Sequence, residues 1–567
     1  MSDSAGGALG FLRKENIIAP EGYNRWRVPP ASIAIHLCIG SVYAWSVFNP
    51  ALTKELGVVS SSAGDWSLSS VVWIFSVAIV CLGLAAAFGG KWLEKVGPRY
   101  VGVVAATLWG GGFLIGSAGI ATHQLWLVYL GYGVFGGAGL GLGYVSPVST
   151  LIRWFPDRRG MATGMAIMGF GGGAMIGAPL KSWLLKTYQQ SPDFLGTESA
   201  VTLITEGGRR FAETTAGKVE VVLATAQQAA AFGGEAGVYV VGTGNTGAAL
   251  TFMTLGIVYF CVMVFAAFKY RVPKEGWKPE GWEPKPVASG MVTRNNVHID
   301  QAFKTPQFWL LWVVLCFNVT AGIGVIGVAK TMINEIFGDL VFVTAAFAGT
   351  YVLMISVFNM LGRFFWASTS DFIGRKATYH CFFILGTLLY CTIPYWAGSG
   401  GTTALIGFYV ATMIIFTMYG GGFATIPAYL ADIFGTLHVG GIHGRLLTAW
   451  STAGVLGPFA ITYLRNLSKE SAIADLAAVV DPVAFTEKFG APIEQLNDLV
   501  MAKTVSIAGL LELAPIGTID PTPTLYNTTM YCMAALLVIA FFANLMVRPV
   551  REHHHVETTH PNAFPAE

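Results

Sequence analysis

Twelve stretches of about twenty apolar residues, each long enough to cross a bilayer as a helix, constrain this chain more than any other feature. They run at about 30–51, 67–90, 100–122, 125–151, 161–185 and 247–268, then 307–330, 342–368, 378–397, 403–430, 446–464 and 526–547. An ordinary soluble globule is excluded: of 567 residues, 54% are apolar and 12% are charged, about half the usual charged share. The pattern predicts an all-α membrane protein with twelve transmembrane helices in two six-helix bundles. A net charge of +2 gives no footing for nucleic acid.

The boundaries divide the chain into an N-terminal segment 1–29, a first bundle 30–268, a linker 269–306, a second bundle 307–547 and a tail 548–567. Lys and Arg in short loops set orientation. With both termini inside, the inner loops collect most of the 34 basic residues, among them Lys91, Lys95, Arg99, Arg153, Arg158, Arg159, Lys269, Arg271, Arg375, Lys376 and Arg548. The N-terminal segment, linker and tail are therefore expected in the cytoplasm and the protein in the cell (inner) membrane. The first span follows the basic stretch Arg25-Trp26-Arg27 without a small-residue cleavage site, so it is expected to be retained. Two outer insertions, at about 186–246 and 465–525, fall between the fifth and sixth helix of each half, as a duplicated six-helix unit would place them. Their Ala, Glu, Thr and Gly content, with a helix-like run over 218–232, suggests small caps or hairpins. All seven cysteines lie within spans and suggest neither a disulfide framework nor a metal site.

Glycine is abundant, at 69 residues, and concentrates in the fourth, fifth and tenth spans, as in Gly133-Val134-Phe135-Gly136-Gly137-Ala138-Gly139-Leu140-Gly141. Small residues let helix backbones approach closely in lipid. The loop after the second span reads Gly90-Lys91-Trp92-Leu93-Glu94-Lys95-Val96-Gly97-Pro98-Arg99, and the loop after the eighth reads Ser370-Asp371-Phe372-Ile373-Gly374-Arg375-Lys376. Each sets an acid, a turn glycine and basic residues at the inner end of a helix, where the acid can cap or pair across helix ends. These two copies resemble the repeated loop of the major facilitator superfamily.

Charge within the spans is confined to Arg363 and, toward the outer ends of the fifth and seventh, Lys181 and Lys330. An intramembrane charge costs about 2.5–3.5 kcal/mol on insertion scales. Arg363 is the deepest, and no acid within the spans can pair with it. A guanidinium binds carboxylate through two parallel hydrogen bonds, which makes an anionic substrate the leading partner, with backbone carbonyls as the structural alternative. Lys181 is expected to snorkel to the outer surface; Lys330 divides evenly between snorkelling and an outer vestibule. Asn359 stands one turn before Arg363 on the same face. Tyr43 and Trp45, Tyr132, Tyr419 and Phe423 each suit plain packing, yet as a set they can wall one site. His36 and His380 can titrate, although a lone helix histidine is more often packing. With no buried carboxylate to relay protons, anion exchange or proton cotransport carried partly by the substrate fits better than a cation-driven carrier.

The chain further resembles the oxalate/formate antiporter family of that superfamily, kin to monocarboxylate transporters. The resemblance rests on Gly40-Ser41-Val42-Tyr43-Ala44-Trp45-Ser46-Val47-Phe48, Trp154-Phe155-Pro156-Asp157-Arg158-Arg159-Gly160, Gly324-Val325-Ile326-Gly327-Val328-Ala329-Lys330, Asn359-Met360-Leu361-Gly362-Arg363 and Thr448-Ala449-Trp450-Ser451-Thr452-Ala453-Gly454-Val455-Leu456-Gly457-Pro458. It spans all twelve helices and neither insertion. It implies a central cavity in which Arg363 binds a substrate carboxylate, with Asn359, Tyr43, Tyr132, Tyr419 and Phe423 around it. The oxalate-carrying pattern also has a lysine in the eleventh helix, where this chain has Trp450. One central cation in place of two implies a monocarboxylate, unless Lys330 compensates.

The expected function is secondary active transport of a small organic anion, a monocarboxylate such as formate, lactate or pyruvate. The alternatives are an oxalate/formate-type dicarboxylate exchanger and a non-transporting membrane sensor of small carboxylates. No cofactor is expected, and no nucleophile, metal cluster or phosphate loop suggests an enzyme. The run His553-His554-His555 reads as a solvated tail. The expected partners are the anion, a proton or counter-anion, and membrane lipid, with the monomer as the working unit.

Overall fold

The computed structural model describes residues 10–555 apart from 207–208, 215–216, 225, 231, 275, 284–290, 294, 490–491, 502–504 and 506. Parts of the expected N-terminal segment, linker and tail therefore fall outside the described residues. The first half carries α1 (Pro29–Gly40), α2 (Leu68–Val96), α3 (Pro98–Ala121), α4 (Leu125–Trp154), α5 (Arg159–Tyr188) and α6 (Ala248–Phe268). The second carries α7 (Pro306–Phe337), α8 (Ala345–Ile373), α9 (Arg375–Ser399), α10 (Gly401–Phe434), α11 (Thr448–Ala477) and α12 (Asn527–Met546). Among the described residues, eleven helices are long and apolar enough to cross a membrane. The twelfth, α11, begins in small polar residues and runs on into charged sequence, but it packs between α2 and α7 like its apolar neighbours.

Helix boundaries follow the local chemistry. The Thr305 hydroxyl caps α7 at the Phe308 amide (3.4 Å) ahead of Pro306, and Thr344 caps α8 at Phe347 (3.3 Å). At the other end, α2 and α8 each stop at a glycine with positive φ, Gly97 (87°) and Gly374 (86°), which only glycine adopts without strain. Those are the turn glycines of the two repeated loops.

The loops also join the halves. Asp371 accepts hydrogen bonds from the amides of Gly160 and Met161 at the start of α5 (3.0 Å each), and it pairs with Arg375 (2.6 Å). Arg375 and Arg159 both reach Asp432 at the end of α10 (3.1 and 3.5 Å). In the other copy, Glu94 approaches the Gly441 amide (3.4 Å) and His438 (3.7 Å) at the short helix Val439–Leu446 that leads into α11. The halves thus close on one another, α5 against α8 and α2 against α11, on the side where the described residues begin and end, here the termini side.

Two local features depart from expectation. The first span does not continue as one helix: beyond Gly40 it tightens into a three-residue-per-turn segment, Ser41–Val47, with Ala44 at φ −95°, ψ 26°. Such a break frees carbonyls, and Lys181 fills the gap. Its ammonium is fully buried, donates to the carbonyls of Ser41 (2.7 Å) and Ala44 (3.4 Å), and sits 4.7 Å from the Phe48 ring. Lys181 therefore does not snorkel. The second departure is the first insertion, which folds as a five-stranded antiparallel sheet in the order β1-β5-β4-β3-β2, made of β1 (Phe194–Gly196), β2 (Leu203–Glu206), β3 (Arg209–Thr214), β4 (Gly217–Ala224) and β5 (Gly237–Val240). The run read as helical is only partly so: its first seven residues belong to β4, where Val219, Val221, Val222 and Leu223 favour a pleated, half-buried surface, and Ala226–Ala230 is a short helix. The sheet docks on the loop after the first span, where Val59 packs with Val222, Ala224 and Tyr239 and the Gly242 amide donates to Leu56 (2.9 Å). The second insertion is helical, an extension of α11 followed by Pro482–Phe489, Leu496–Met501 and Ile507–Leu511.

Candidate functional site

Arg363 lies on α8 at the seam between the halves and is 0% exposed. Its Nε donates to Oδ1 of Asn359 one turn earlier (3.0 Å), and its Nη1 donates to the Ile167 carbonyl on α5 (3.3 Å). Nη2 is buried with no partner. Among the described residues no carboxylate pairs with Arg363. Phe170 and Phe423 instead lay ring faces against it, at 5.5 and 5.1 Å from the guanidinium carbon. Such contacts contribute about 1–2 kcal/mol each once desolvated, too little to replace a counter-ion.

Two glycines make room for this side chain. A Cβ at Gly171 on α5 would lie 2.7 Å from Arg363 Nε, and one at Gly420 on α10 would meet the Asn359 carbonyl and press on the arginine stem. The glycine-rich spans therefore do more than let helices approach; they admit one large cation between three helices.

The remaining walls are aromatic. The Tyr43 and Tyr419 hydroxyls bond to each other across the halves (2.9 Å). Trp450 on α11 packs with its ring centre 4.5 Å from that of Phe423 and 5.2 Å from that of Phe170, and Tyr144 on α4 lies 5.3 Å from Trp450. The Trp450 Nε1 and the Tyr144 hydroxyl are both buried without partners. Buried donors are seldom left unmatched. Here three, from Arg363, Trp450 and Tyr144, belong to one cluster around a positive charge, which is the environment a carboxylate requires.

On the insertion side of Arg363 a cavity of about 10 Å³, lined by Tyr43, Ala174, Ile326, Ala329, Ser356 and Asn359 among others, has room for about one water. Arg363 and Asn359 are buried, and the loop contacts close the seam on the side away from the insertions. Opening it requires the halves to move.

Of the residues singled out from sequence, Arg363, Asn359, Tyr43, Tyr419, Phe423 and Trp450 come together. Tyr132 stands apart, within the first half, packed on Trp45 (4.5 Å), Phe113 and Trp109. Lys330 is exposed on α7, one turn beyond the cavity-lining Ile326, and does not reach the cluster. His380 packs on Phe541 at the far side of the second half. Sequence reasoning missed Tyr144 and Phe170. Each is an aromatic residue set among glycines, in Gly143-Tyr144 and Gly169-Phe170-Gly171. That pattern marks places where close backbone approach aims a large side chain into a seam.

The family model described as Major Facilitator Superfamily matches residues 31–195. Among curated proteins, the chain is 25% identical over 435 residues to the oxalate:formate antiporter of Oxalobacter formigenes, covering 76% of this chain and 83% of that one. It is 21% identical over 463 residues to apicoplast pyruvate carrier 1 of Toxoplasma gondii, covering 73% and 78%. Over a shorter stretch of 127 residues it is 34% identical to monocarboxylate transporter 13 of Rattus norvegicus, covering 22% and 29%. Among solved structures, a bacterial homolog of the human lysosomal transporter Spinster superposes with a TM-score of 0.52 at 15% identity, covering 94% of this chain and 99% of that one. The fucose:proton symporter of E. coli gives 0.52 at 10%, covering 92% and 100%. At these identities the structural likeness speaks for the fold alone.

Proposed function

On the footing that this chain has the major facilitator fold and is related to the oxalate:formate antiporter and to monocarboxylate transporters, we propose that it carries a small monocarboxylate across the cell (inner) membrane by alternating access. The termini side is the cytoplasmic side and the monomer is the transporting unit. The observation that carries this reading is the unpartnered Nη2 of a fully buried Arg363, in one aromatic cluster with the idle donors of Tyr144 and Trp450. A carboxylate pairs with the guanidinium and takes the two donors. Its short tail turns toward Ala174, Ile326 and Ala329 on the insertion side, where Lys330 draws anions to the entrance. Rocking along the α5/α8 and α2/α11 seams then exposes the site to each face in turn. With a single cation in the cluster, a monoanion is neutralised, whereas a dianion retains an uncompensated buried charge.

The test is uptake in proteoliposomes with formate, lactate, pyruvate and oxalate. Arg363→Ala abolishes uptake and Arg363→Lys fails to restore it, because an ammonium lacks the two-pronged geometry. Full transport by both variants rules out the assigned role, and preference for oxalate over all three monocarboxylates rules out the monoanion.

A further inference from the structure

The spans hold no acid beside the site, so proton coupling, if the transporter has it, needs another carrier. His443 stands in the helix Val439–Leu446, wedged between α2 and α4 on the cytoplasmic side of the site. It is 2% exposed, its Nε2 is buried without a partner, and its ring lies 6.0 Å from that of Tyr144. The Tyr144 hydroxyl is likewise idle and belongs to the carboxylate cluster. From α1, His36 faces the same tyrosine at 5.3 Å, with its ring nitrogens against the carbonyls of Ala166 and Tyr144, to only one of which a neutral imidazole donates. Of the charged groups packed around the helix, Arg445 points away to Asp300 (2.6 Å), with His298 beside that aspartate. Glu94 of α2, with Arg153 of α4 near it, lies at Gly441 and His438, between His443 and the cytoplasm.

Resting on the monocarboxylate reading, we infer that His443 is the proton-carrying group of transport, reached from the substrate site through the Tyr144 hydroxyl. A proton that arrives with the anion passes to the Tyr144 oxygen as that hydroxyl gives its own proton, through one bridging water, to His443 Nε2. The imidazolium and the Arg363-bound carboxylate then coexist in the closed site. When the cytoplasmic seam parts, His443 releases its proton past Glu94 and the anion leaves. One proton and one monoanion cross together, and no net charge moves.

The experiment uses the full chain in proteoliposomes with labelled formate, lactate and pyruvate, read in two ways: anion-for-anion exchange, and accumulation under an inward gradient of about one pH unit, which drives roughly tenfold concentration. Wild type shows both, with lumenal acidification reported by an internal pH dye. His443→Gln loses accumulation and acidification while still exchanging, whereas Arg363→Ala loses both activities. Wild-type accumulation persisting in His443→Gln overturns the inference, as does wild-type exchange without acidification. Should His443→Gln lose exchange as well, the smaller His443→Asn decides on the same two readouts. Absence of exchange by the wild type with all three anions overturns the monocarboxylate reading, and this inference falls with it.

Discussion

A single positive charge organises the candidate site, and each neighbour matters for what it leaves unsatisfied. Arg363 uses Nε and Nη1 on the protein and leaves Nη2 idle, beside the idle donors of Tyr144 and Trp450. Trp450→Phe keeps the ring that packs on Phe423 but removes the N–H. Carboxylate affinity is expected to fall by about 1 kcal/mol, roughly fivefold, the net contribution of one hydrogen bond, as read by ligand-induced thermal shift. Arg363 was legible from sequence because a lone deep cation needs a partner. Tyr144 and Phe170 were not, because an aromatic in an apolar span looks the same whether it meets lipid, core or substrate. Tyr132 illustrates the converse: an aromatic with a hydroxyl at plausible depth, which the fold commits to the Trp45 cluster instead.

At the scale of elements, the break in α1 and the lysine that fills it are one feature. Lys181→Met removes the donor to two freed carbonyls, and the expected cost is about 1.5–3 kcal/mol, as for a lost bond from a charged donor, seen as a lowered melting temperature in detergent. Hydropathy finds a lysine near a helix end and predicts snorkelling; only the conformation of Ser41–Val47 turns it inward. Gly420→Ala forces a methyl against the Asn359 carbonyl, and overpacking of this kind costs about 1–3 kcal/mol, again read by thermal stability. The insertion sheet is anchored by Glu55, which accepts a hydrogen bond from the Thr246 hydroxyl. Burial pushes the Glu55 carboxyl up to about 7; the Thr246 bond opposes the rise and Asp65 adds to it. A folded-state value above the ordinary one means that the buried position favours the neutral form, whose ionisation works against the docked arrangement. Anchoring is therefore fully present below about 4.5 and is lost as pH rises through about 7. Exchange of the Gly242 amide, corrected for its intrinsic rate, is expected to be less protected at pH 8 than at pH 6, and Glu55→Gln removes the difference.

For the whole molecule, the two halves are held shut on the termini side by acids of the repeated loops. Asp371→Asn weakens its bonds to the Gly160 and Met161 amides and to Arg375. A loss of about 1 kcal/mol shifts the open population roughly fivefold, measured as faster maleimide labelling of a cysteine placed at the buried Thr163. Composition and periodicity were enough for the membrane setting, the all-α fold, the repeated loops and the one deep cation, while the expected twelve spans appear as eleven apolar helices among the described residues and a more polar α11. Those are properties of local composition and periodicity, which survive without knowing what touches what. Only the folded chain shows which rings surround Arg363, that Lys181 faces a broken helix, that the rings of His443 and Tyr144 lie 6.0 Å apart, and that an Ala- and Val-rich insertion forms a sheet. Each depends on contacts between different helices or on a chain partner for a strand, and a window of local sequence does not contain both sides of such a contact.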